Sequence, residues 1–342
     1  MNVYFRSAKI RSIRFIRVPF CYITQMDIND IKIAAERIRP YVRRTHLEYS
    51  NSLSKRIGVH TSVKFELFQK TGAFKARGAF NKLLTMSDAE RAKGVVAVSG
   101  GNHAQAVAYS SSVLGVDAVI LMPANTPQVY VDATRGYGAT VELQENIGAA
   151  FERVKDFEAE GRVFVHPFDD EVIIAGQGTV GLEILEDAPD TTDIILSIGG
   201  GGLAGGVAAA AKSFNPNIRM WAVETQGADA MSRAVAAGKV VEMDAITSIA
   251  KTLGAPYVSD LTLGMVQKYY ESVTVVTDAE AVEAMVFIAE RLKVITEPAA
   301  AVTLVAAEKL RANFNEDSRV VLILCGGNTG VSDLCSYLPL LG

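Results

Sequence analysis

The sequence predicts an α/β protein with mostly parallel β-sheets. Short apolar runs that suit buried strands alternate with longer stretches that suit helices, and this alternation is typical of right-handed βαβ units. No internal repeat, low-complexity tract or interdomain linker interrupts it. A chain of 342 residues is long enough for two domains or for one large α/β unit. We therefore expect any second domain to be an insertion into the first.

The predicted elements follow one another from residue 27. Apolar residues at helical spacing, from Ile28 to Ile38, predict an amphipathic helix over residues 27–42. Further helices are predicted to begin near Asn102 and Val129 or to cover residues 178–186, 203–214 and 279–292, the last with Asp278 as its N-cap. Uninterrupted apolar runs predict buried strands at residues 95–98, 118–122, 140–143, 163–165, 193–198, 220–223, 273–276 and 320–324.

Composition and charge exclude several classes of protein. Hydrophobic residues make up 49% of the chain and charged residues 21%, which fits neither a disordered nor a membrane protein. A formal net charge of -4 does not favour nucleic acid or an anionic membrane as a partner. The three cysteines and four histidines lack the spacing of a disulfide framework or a structural metal site. We therefore expect a soluble, cytoplasmic protein without a bound metal.

Residues 1–26 form an uncertain N-terminal extension. They contain five basic residues and no acidic residue, which is typical of a transit peptide. The alternative is that Met26 is the true initiator, because Asp27 begins an ordinary amphipathic helix. We favour this second interpretation.

Ligands of such folds bind where strands lead into helices, and four loops carry candidate chemistry. The first, residues 72–79, holds Lys75 between small residues and directly after Phe74. Its ordinary interpretation is a solvated lysine at a helix start. A functional role requires burial, because burial lowers the pKa of a lysine and makes its amine a nucleophile for a Schiff base.

The second loop follows the predicted strand at 95–98 and contains Ser99, Gly100, Asn102 and His103. A helix that begins here points free N–H groups outward, and such an end binds anions such as a substrate carboxylate. The Asn102 side chain is able to donate to a phenolate. The ordinary alternative is a turn in which Ser99 or Asn102 caps the helix. We expect His103 to be a packed helix residue rather than a general base.

The third loop is a run of four glycines and a leucine after the predicted strand at 193–198. Four consecutive glycines allow the backbone to approach a ligand and to turn its amides inward. We therefore predict a phosphate cradle formed by Gly199, Gly200, Gly201, Gly202 and Leu203.

The same loop also fits a nicotinamide-dependent oxidoreductase. Gly200, Gly202 and Gly205 match the G-x-G-x-x-G pattern, and Glu224 follows the next predicted strand, at the spacing of a ribose-binding acid. Against this alternative, no residues for hydride transfer are evident nearby, and the Lys75 loop stays unexplained.

The fourth loop, residues 325–328, follows the last predicted strand and begins with Cys325. Its ordinary interpretation is a tight turn. Its functional interpretation is that the Cys325 thiol is a weak hydrogen-bonding group placed at a heteroaromatic nitrogen.

Together these loops resemble a known family over nearly the whole chain from residue 27. The chain resembles the fold-type II pyridoxal-phosphate enzymes, which have a tryptophan synthase β-like fold, and among them the serine/threonine dehydratases and serine racemases. Six motifs carry the resemblance, in the family's order: QKTGAFKARGA at 69–79, SGGNH at 99–103, GQGT at 176–179, GGGGL at 199–203, EPA at 297–299 and CGGN at 325–328.

The resemblance implies pyridoxal 5′-phosphate as the cofactor and a role for each candidate residue. Lys75 is the Schiff-base lysine, and Phe74 packs near the cofactor ring. Asn102 hydrogen-bonds the ring hydroxyl, and Cys325 faces the pyridine nitrogen. Ser99 and the start of the following helix receive the substrate carboxylate. The cofactor phosphate is held by backbone amides of Gly199, Gly200, Gly201, Gly202 and Leu203.

The resemblance also implies an architecture of two three-layer domains with parallel sheets. The large, cofactor-binding domain comprises residues 27–93 plus 169–342, and a small α/β domain of residues 94–168 is inserted into it. The cofactor lies between the two domains. A small amino acid is the expected substrate, and a homodimer is the expected assembly.

This chain departs from the family at several positions. Racemases of the group have a proton-donating serine where this chain has Gly100. The group's divalent-metal site uses a glutamate and an acid six residues later. This chain has the glutamate, Glu224, but has Ala230 at the second position, with Asp229 one residue before it. Tyr130 stands where lysine is frequent. The missing serine favours a lyase over a racemase, and the missing acid puts a metal site in doubt.

These features predict an ammonia-lyase that converts L-threonine or L-serine to a 2-oxo acid and ammonia, with the Lys75 amine as general base. The chain ends soon after Asn328, where biosynthetic threonine dehydratases carry a regulatory domain, so we expect a catabolic role. The alternatives are a dehydratase of hydroxyaspartate or another 3-hydroxy amino acid, and a serine or aspartate racemase. The nicotinamide-dependent oxidoreductase remains as an alternative from another class.

Overall fold

The computed structural model of the protein describes residues 26–342. The predicted N-terminal extension, apart from Met26, and Cys21 lie outside the described residues. Among the described residues, no helix is both long enough and apolar enough to cross a bilayer.

Strands and helices alternate through the described residues, so the predicted α/β class is confirmed. The strands are β1 (Leu47–Tyr49), β2 (His60–Lys64), β3 (Val95–Val98), β4 (Ala118–Pro123), β5 (Thr140–Gln144), β6 (Val163–Phe164), β7 (Asp193–Ser197), β8 (Arg219–Thr225), β9 (Tyr270–Val276) and β10 (Arg319–Ile323). The helices are α1 (Ile28–Ile38), α2 (Asn51–Ile57), α3 (Lys75–Thr85), α4 (Asp88–Lys93), α5 (Asn102–Leu114), α6 (Gln128–Gly136), α7 (Ile147–Ala159), α8 (Glu171–Asp187), α9 (Gly202–Phe214), α10 (Ala230–Ala237), α11 (Asp260–Tyr269), α12 (Asp278–Leu292), α13 (Pro298–Lys309) and α14 (Val331–Tyr337).

The strands form two sheets. The larger sheet has the order β1-β2-β10-β7-β8-β9, and the smaller has the order β5-β4-β3-β6. Every pairing is parallel except the edge pair β1–β2, so the prediction of mostly parallel sheets is confirmed. The four strands of the smaller sheet are consecutive in the chain and lie between β2 and β7.

All eight predicted strands are present, with bounds that differ by at most three residues. β7 is buried along its whole length and β10 along nearly all of it, as parallel strands covered on both faces require. The strands β1 and β2 were not predicted, because their sequences, LEY and HTSVK, are short and partly polar.

Two predicted helix bounds were wrong. α1 ends at Ile38 rather than near residue 42, because Pro40 has no N–H to continue the helix. α8 begins at Glu171 rather than at 178, and the Asp170 side chain caps it by accepting from two backbone amides. The glycines of α8 allow close helix packing: a Cβ on Gly176 would lie 2.7 Å from the Cα of Gly78 in α3.

The predicted N-cap of α12 was also wrong. Thr277, not Asp278, caps the helix and forms a capping box with Glu280. The Asp278 carboxylate instead accepts from Ser248 Oγ at 2.6 Å and from Ile249 N at 3.1 Å. A tertiary contact, which local sequence does not show, therefore takes the side chain away from the cap.

A buried ionic network anchors helix α3 in the larger sheet's side of the molecule. Arg77 is fully buried, and its guanidinium donates to Glu66 at 2.8 Å and to Glu183 of α8 at 2.7 Å. Lys64 of β2 is also fully buried and donates to Glu183 at 2.6 Å. Because each buried charge has partners of opposite sign, the network holds the amino end of α3, where Lys75 lies, against β2 and α8.

Candidate active site

The four loops singled out from the sequence lie close together and are linked by direct contacts or through one short segment. The segment before α3 is tied to the loop after β10, since Phe74 N donates to Cys325 O at 3.1 Å and Gly327 N donates to Gly72 O at 2.9 Å. The glycine loop follows β7, the parallel neighbour of β10, so the two loops open at the same edge of the sheet.

The segment Pro167 and Phe168, after β6, connects Lys75 to the glycine loop. Lys75 Nζ donates to the Pro167 carbonyl oxygen at 2.7 Å. The Phe168 side chain lies against the glycine loop, because a Cβ added to Gly200 would be 2.0 Å from Phe168 Cδ1. Pro167 thus contacts Lys75, and its neighbour Phe168 contacts the glycine loop.

Lys75 is the first residue of α3, and its amine is nucleophilic near neutral pH. Burial lowers the pKa of Lys75 to about 8, while the nearby Cys325 and Glu297 side chains act to raise it. The amine lies 5.2 Å from the centre of the Phe74 ring. Lys75 is half-buried, and its pKa is lowered as a functional role requires.

Asn102 is the first residue of α5, and its side chain points into the protein. Its Nδ2 atom donates to both oxygens of the buried Glu297 carboxylate, at 2.9 Å and 3.1 Å. The ordinary alternative, in which Asn102 caps α5, was therefore wrong: the N-cap is Gly101. Burial raises the pKa of Glu297 to about 7, although hydrogen bonds from Asn102 and Thr252 oppose the rise.

Cys325 is buried between the ends of β7 and β10. Its Sγ atom is 3.5 Å from Ser197 Oγ and 3.9 Å from Glu297 Oε1. Burial raises the pKa of the Cys325 thiol well above its usual value, and the Glu297 charge raises it further. The thiol is therefore neutral and supplies a weak hydrogen-bonding group.

The glycine loop has no room for side chains, because neighbouring residues pack directly against its backbone. An added Cβ would lie 2.9 Å from Leu253 O at Gly199 and 2.6 Å from Thr262 Cβ at Gly201, in addition to the clash at Gly200. Gly201 has φ 96°, which favours glycine. No side chain caps α9, whose first residues are Gly202 and the buried Leu203. Free amides at a helix start suit a phosphate.

Ser99 and His103 lie on either side of the α5 start. The Ser99 hydroxyl accepts from Gly101 N at 3.1 Å. His103 Nε2 is 2.8 Å from Val165 O, and burial lowers the pKa of His103 to about 3. A neutral ring bonded to a backbone carbonyl confirms that His103 is a packed helix residue.

At Gly100, a loop of the smaller sheet fills the space of a missing side chain. A Cβ on Gly100 would lie 2.7 Å from Thr126 Oγ1. Thr126 lies between β4 and α6, so a side chain at position 100 would have to displace this loop.

Glu224 is engaged elsewhere. It is fully buried, and its carboxylate accepts from Met231 N at 2.9 Å and from Ser232 N at 2.7 Å. These bonds to the start of α10 occupy the carboxylate that the nicotinamide alternative assigned to a ribose. Within residues 26–342, no group of three or more His, Cys, Asp or Glu side chains could hold a metal ion.

Sequence reasoning missed several residues of the site. Glu297 was recognised only as part of a motif, and the Pro298 that follows it signals a helix start but not an inward-pointing carboxylate. Asn328 was likewise recognised only as part of a motif, and the Pro167 carbonyl carried no signal, because their contacts join segments far apart in the chain.

A buried amine of lowered pKa beside a backbone anion cradle, at the carboxyl edge of parallel strands, defines a cofactor-dependent α/β enzyme. The chain belongs to the family described as pyridoxal-phosphate dependent enzymes, which matches residues 38–326.

Similar proteins include both lyases and racemases. An L-threonine ammonia-lyase of Thermotoga maritima is 40% identical over 307 residues, which cover 89% of this chain and 76% of the relative. A serine racemase of Oryza sativa is 40% identical over 323 residues, covering 91% and 94% of the two chains. The structure of maize serine racemase superposes with a TM-score of 0.87 at 39% identity, covering 92% and 97%. The predicted fold-type II architecture is thereby confirmed.

Pyridoxal phosphate, the cofactor of this family, fits the residues present. The glycine loop carries no side chains and leads into the uncapped start of α9, and such free backbone amides suit a phosphate. The Lys75 amine, with its pKa lowered to about 8, suits a covalent link to an aldehyde. Asn102, after β3 of the smaller sheet, and Cys325, after β10 of the larger sheet, supply neutral polar groups that both contact Glu297.

Proposed function

We propose that this protein is an ammonia-lyase that eliminates the β-hydroxyl of L-threonine or L-serine and yields a 2-oxo acid and ammonia. The observation that carries the proposal is the Lys75 amine, whose pKa is lowered to about 8, near a glycine loop that leads into the uncapped start of α9. The T. maritima relative, named an L-threonine ammonia-lyase, supports the choice of substrate.

The proposal assigns the cofactor to the residues predicted from the sequence. Lys75 holds it through its amine, with Phe74 beside the ring. Asn102 bonds the ring hydroxyl and Cys325 faces the ring nitrogen. The phosphate lies on the backbone amides of Gly199, Gly200, Gly201, Gly202 and Leu203. Ser99 and the uncapped start of α5 receive the substrate carboxylate.

When bound, pyridoxal phosphate supplies an electron sink for the bond broken at the substrate α-carbon. Lys75 Nζ removes the α-proton, because an amine with a pKa near 8 is partly unprotonated at neutral pH. The Pro167 carbonyl accepts from Nζ at 2.7 Å and so orients the amine. The neutral Cys325 thiol places no charge at the ring nitrogen, and the buried Glu297 carboxylate orients Asn102.

The proposal also divides the chain into a large domain, residues 27–93 plus 169–342, and a small inserted domain, residues 94–168. The two sheets support this division, since β3 to β6 all fall within the inserted range. Residues 167 and 168, which contact Lys75 and Gly200, lie where the chain returns to the large domain.

The experiment measures 2-oxo acid and ammonia released from a panel of 3-hydroxy amino acids. The wild type is compared with Lys75→Ala and with Lys82→Ala, which removes a lysine of the same helix that pairs with Asp170 instead. We expect the wild type and Lys82→Ala to release oxo acid from threonine or serine and Lys75→Ala to lose at least about a hundredfold of this activity. Equal activity of Lys75→Ala and the wild type would refute the role of Lys75.

A racemase is the second candidate, because the rice relative at 40% identity is named a serine racemase. Gly100 carries no hydroxyl, and Thr126 occupies the neighbouring space, so we expect little inversion of L-serine. Chiral chromatography of the same reactions decides between the two. Rapid formation of D-serine without oxo acid would overturn the lyase proposal.

A further inference from the structure

Tyr130 links the smaller sheet to the active-site edge of the larger one. It lies in α6, between β4 and β5, and its hydroxyl donates to the Asn328 carbonyl oxygen at 2.7 Å. Burial raises the pKa of Tyr130 to about 12, so the hydroxyl is protonated and acts as a donor at neutral pH.

The Asn328 side chain continues this link to Asn102. Its Nδ2 atom donates to Thr71 O at 2.8 Å and to Asn102 Oδ1 at 2.7 Å. Because a backbone carbonyl accepts only, Nδ2 of Asn328 must be the atom that faces Thr71. Asn102 therefore receives this bond with Oδ1 and turns its own Nδ2 toward Glu297. The direction of each hydrogen bond from Asn328 through Asn102 is therefore fixed, by the Thr71 carbonyl at one end and by the Glu297 carboxylate at the other.

Asn328 depends on such contacts for its position. The next helix, α14, has no buried residue and packs on the core only through the half-buried Leu334 and Tyr337, so the chain beyond residue 330 is less firmly packed than the sheet. On the near side, Gly327 N is bonded to Gly72 O at 2.9 Å. The Tyr130 hydroxyl thus holds the carbonyl of a residue that lies between an anchored turn and a weakly packed segment.

We propose that Tyr130 is a positioning residue that sets the orientation of the Asn102 amide through Asn328. The inference rests on the proposed function, in which Asn102 bonds the cofactor hydroxyl. The position of α6 relative to the larger sheet therefore affects the hydrogen bond that Asn102 makes to the cofactor ring. The Tyr130 hydroxyl provides the neutral donor for this coupling.

The test compares Tyr130→Phe with Tyr137→Phe in the cofactor-loaded protein. Tyr137 caps the other end of the same helix, and within residues 26–342 its hydroxyl makes no hydrogen bond, so it is a matched loss of one hydroxyl. We expect Tyr130→Phe to shift the visible absorbance band of the bound cofactor and to weaken cofactor affinity by about three- to tenfold, the range of one hydrogen bond. A Tyr130→Phe spectrum and affinity equal to those of Tyr137→Phe would overturn the proposal.

A double-mutant cycle with Asn328→Ala tests whether Tyr130 acts through Asn328. Asn328→Ala removes the bond to Asn102, so we expect it to weaken cofactor affinity at least as much as Tyr130→Phe. Adding Tyr130→Phe to Asn328→Ala should then change the affinity by less than about twofold, because coupled residues are not additive. Full additivity would show that the hydroxyl acts by another route and would refute the proposal.

The cofactor spectrum and affinity do not depend on which amino acid is turned over. If the wild type releases no oxo acid while Tyr130→Phe alone shifts the cofactor band, the proposed function fails and the role of Tyr130 stands. If oxo acid is released and both Tyr→Phe variants match the wild type, the role of Tyr130 fails and the proposed function stands.

Discussion

The two sides of the candidate site differ in how firmly they are packed. On the larger sheet's side, ten of the 13 residues of α9 are buried, and the strands β7 and β10 are almost wholly buried. On the smaller sheet's side, β3 and α5 are also largely buried, but only two of the nine residues of α6 are buried, and the edge strand β5 has no buried residue.

This difference separates a rigid part of the site from one that can adjust. The glycine loop and the Cys325 thiol lie on the buried side, where the addition of one methyl group disturbs the packing. Gly100, Thr126 and Tyr130 lie where α6 and its loops contact the larger sheet through few residues. Regions with little buried apolar contact open at lower free energy, so we expect substrate to enter past the smaller sheet's loops.

The largest expected effect breaks the buried ionic network on the rigid side. Arg77→Met leaves the buried Glu66 and Glu183 carboxylates without this partner, and we expect the free energy of unfolding to fall by about 3–5 kcal/mol. Urea unfolding, followed by the fluorescence of the single tryptophan, Trp221, measures the loss.

The control for this change is Arg153→Met, in α7 of the smaller sheet. Arg153 pairs with Glu142 and Asp156, and all three side chains are more than a third exposed. We expect a loss below about 1 kcal/mol. Equal losses for the two variants would show that the two sides are packed alike.

The second-largest effect is expected from adding one methyl group to a glycine on either side of the site. The Cβ of Gly200→Ala meets the Phe168 ring at 2.0 Å, and that of Gly100→Ala meets Thr126 Oγ1 at 2.7 Å. We expect Gly200→Ala to weaken cofactor affinity by about ten- to a hundredfold, as overpacking of a rigid site does. We expect less than about threefold for Gly100→Ala, because the Thr126 loop can move.

Cofactor affinity is measured by fluorescence titration of the apoprotein with pyridoxal phosphate. The double variant Gly100→Ala/Thr126→Ala should return to the affinity of the wild type, since the contacting hydroxyl is gone. A larger loss at Gly100 than at Gly200 would reverse the assignment of the rigid side.

The smallest effect is a pH dependence. In the apoprotein, the rate at which Lys75 captures pyridoxal phosphate should fall about tenfold per pH unit below its pKa of about 8 and level off above it, because the unprotonated amine reacts. Burial lowers the pKa of His103 to about 3 and that of His166 to about 4, so neither adds a step near neutral pH. Stopped-flow absorbance at several pH values tests this, and a midpoint above pH 10 would contradict the burial of Lys75.

The linked effect on stability has a defined sign. The folded state lowers the pKa of Lys75 from 10.5 to about 8, so between these pH values the unfolded chain binds more protons. The stability of the apoprotein therefore rises with pH across this window, through the contribution of Lys75.

Several features could be predicted from local sequence because their cause is local. The strands β3, β4, β7 and β10 are apolar runs, and such runs have few alternatives to burial. The loops after β3, β7 and β10 could be located because ligands of parallel α/β folds bind where strands lead into helices. The start of α8 and the N-cap of α12 could not be predicted from local sequence. Gly176 packs against α3 and Asp278 bonds to Ser248, and both partners are distant in the chain.

The sequence by itself determined the α/β class, the parallel sheets, the family and its cofactor, because burial patterns and short motifs are properties of neighbouring residues. Only the tertiary structure decided that Glu297 faces Asn102, that Pro167 accepts from Lys75, and that Tyr130 reaches Asn328. These contacts join residues 92 to 198 positions apart. Their geometry depends on how two sheets are placed against each other, which no local pattern encodes.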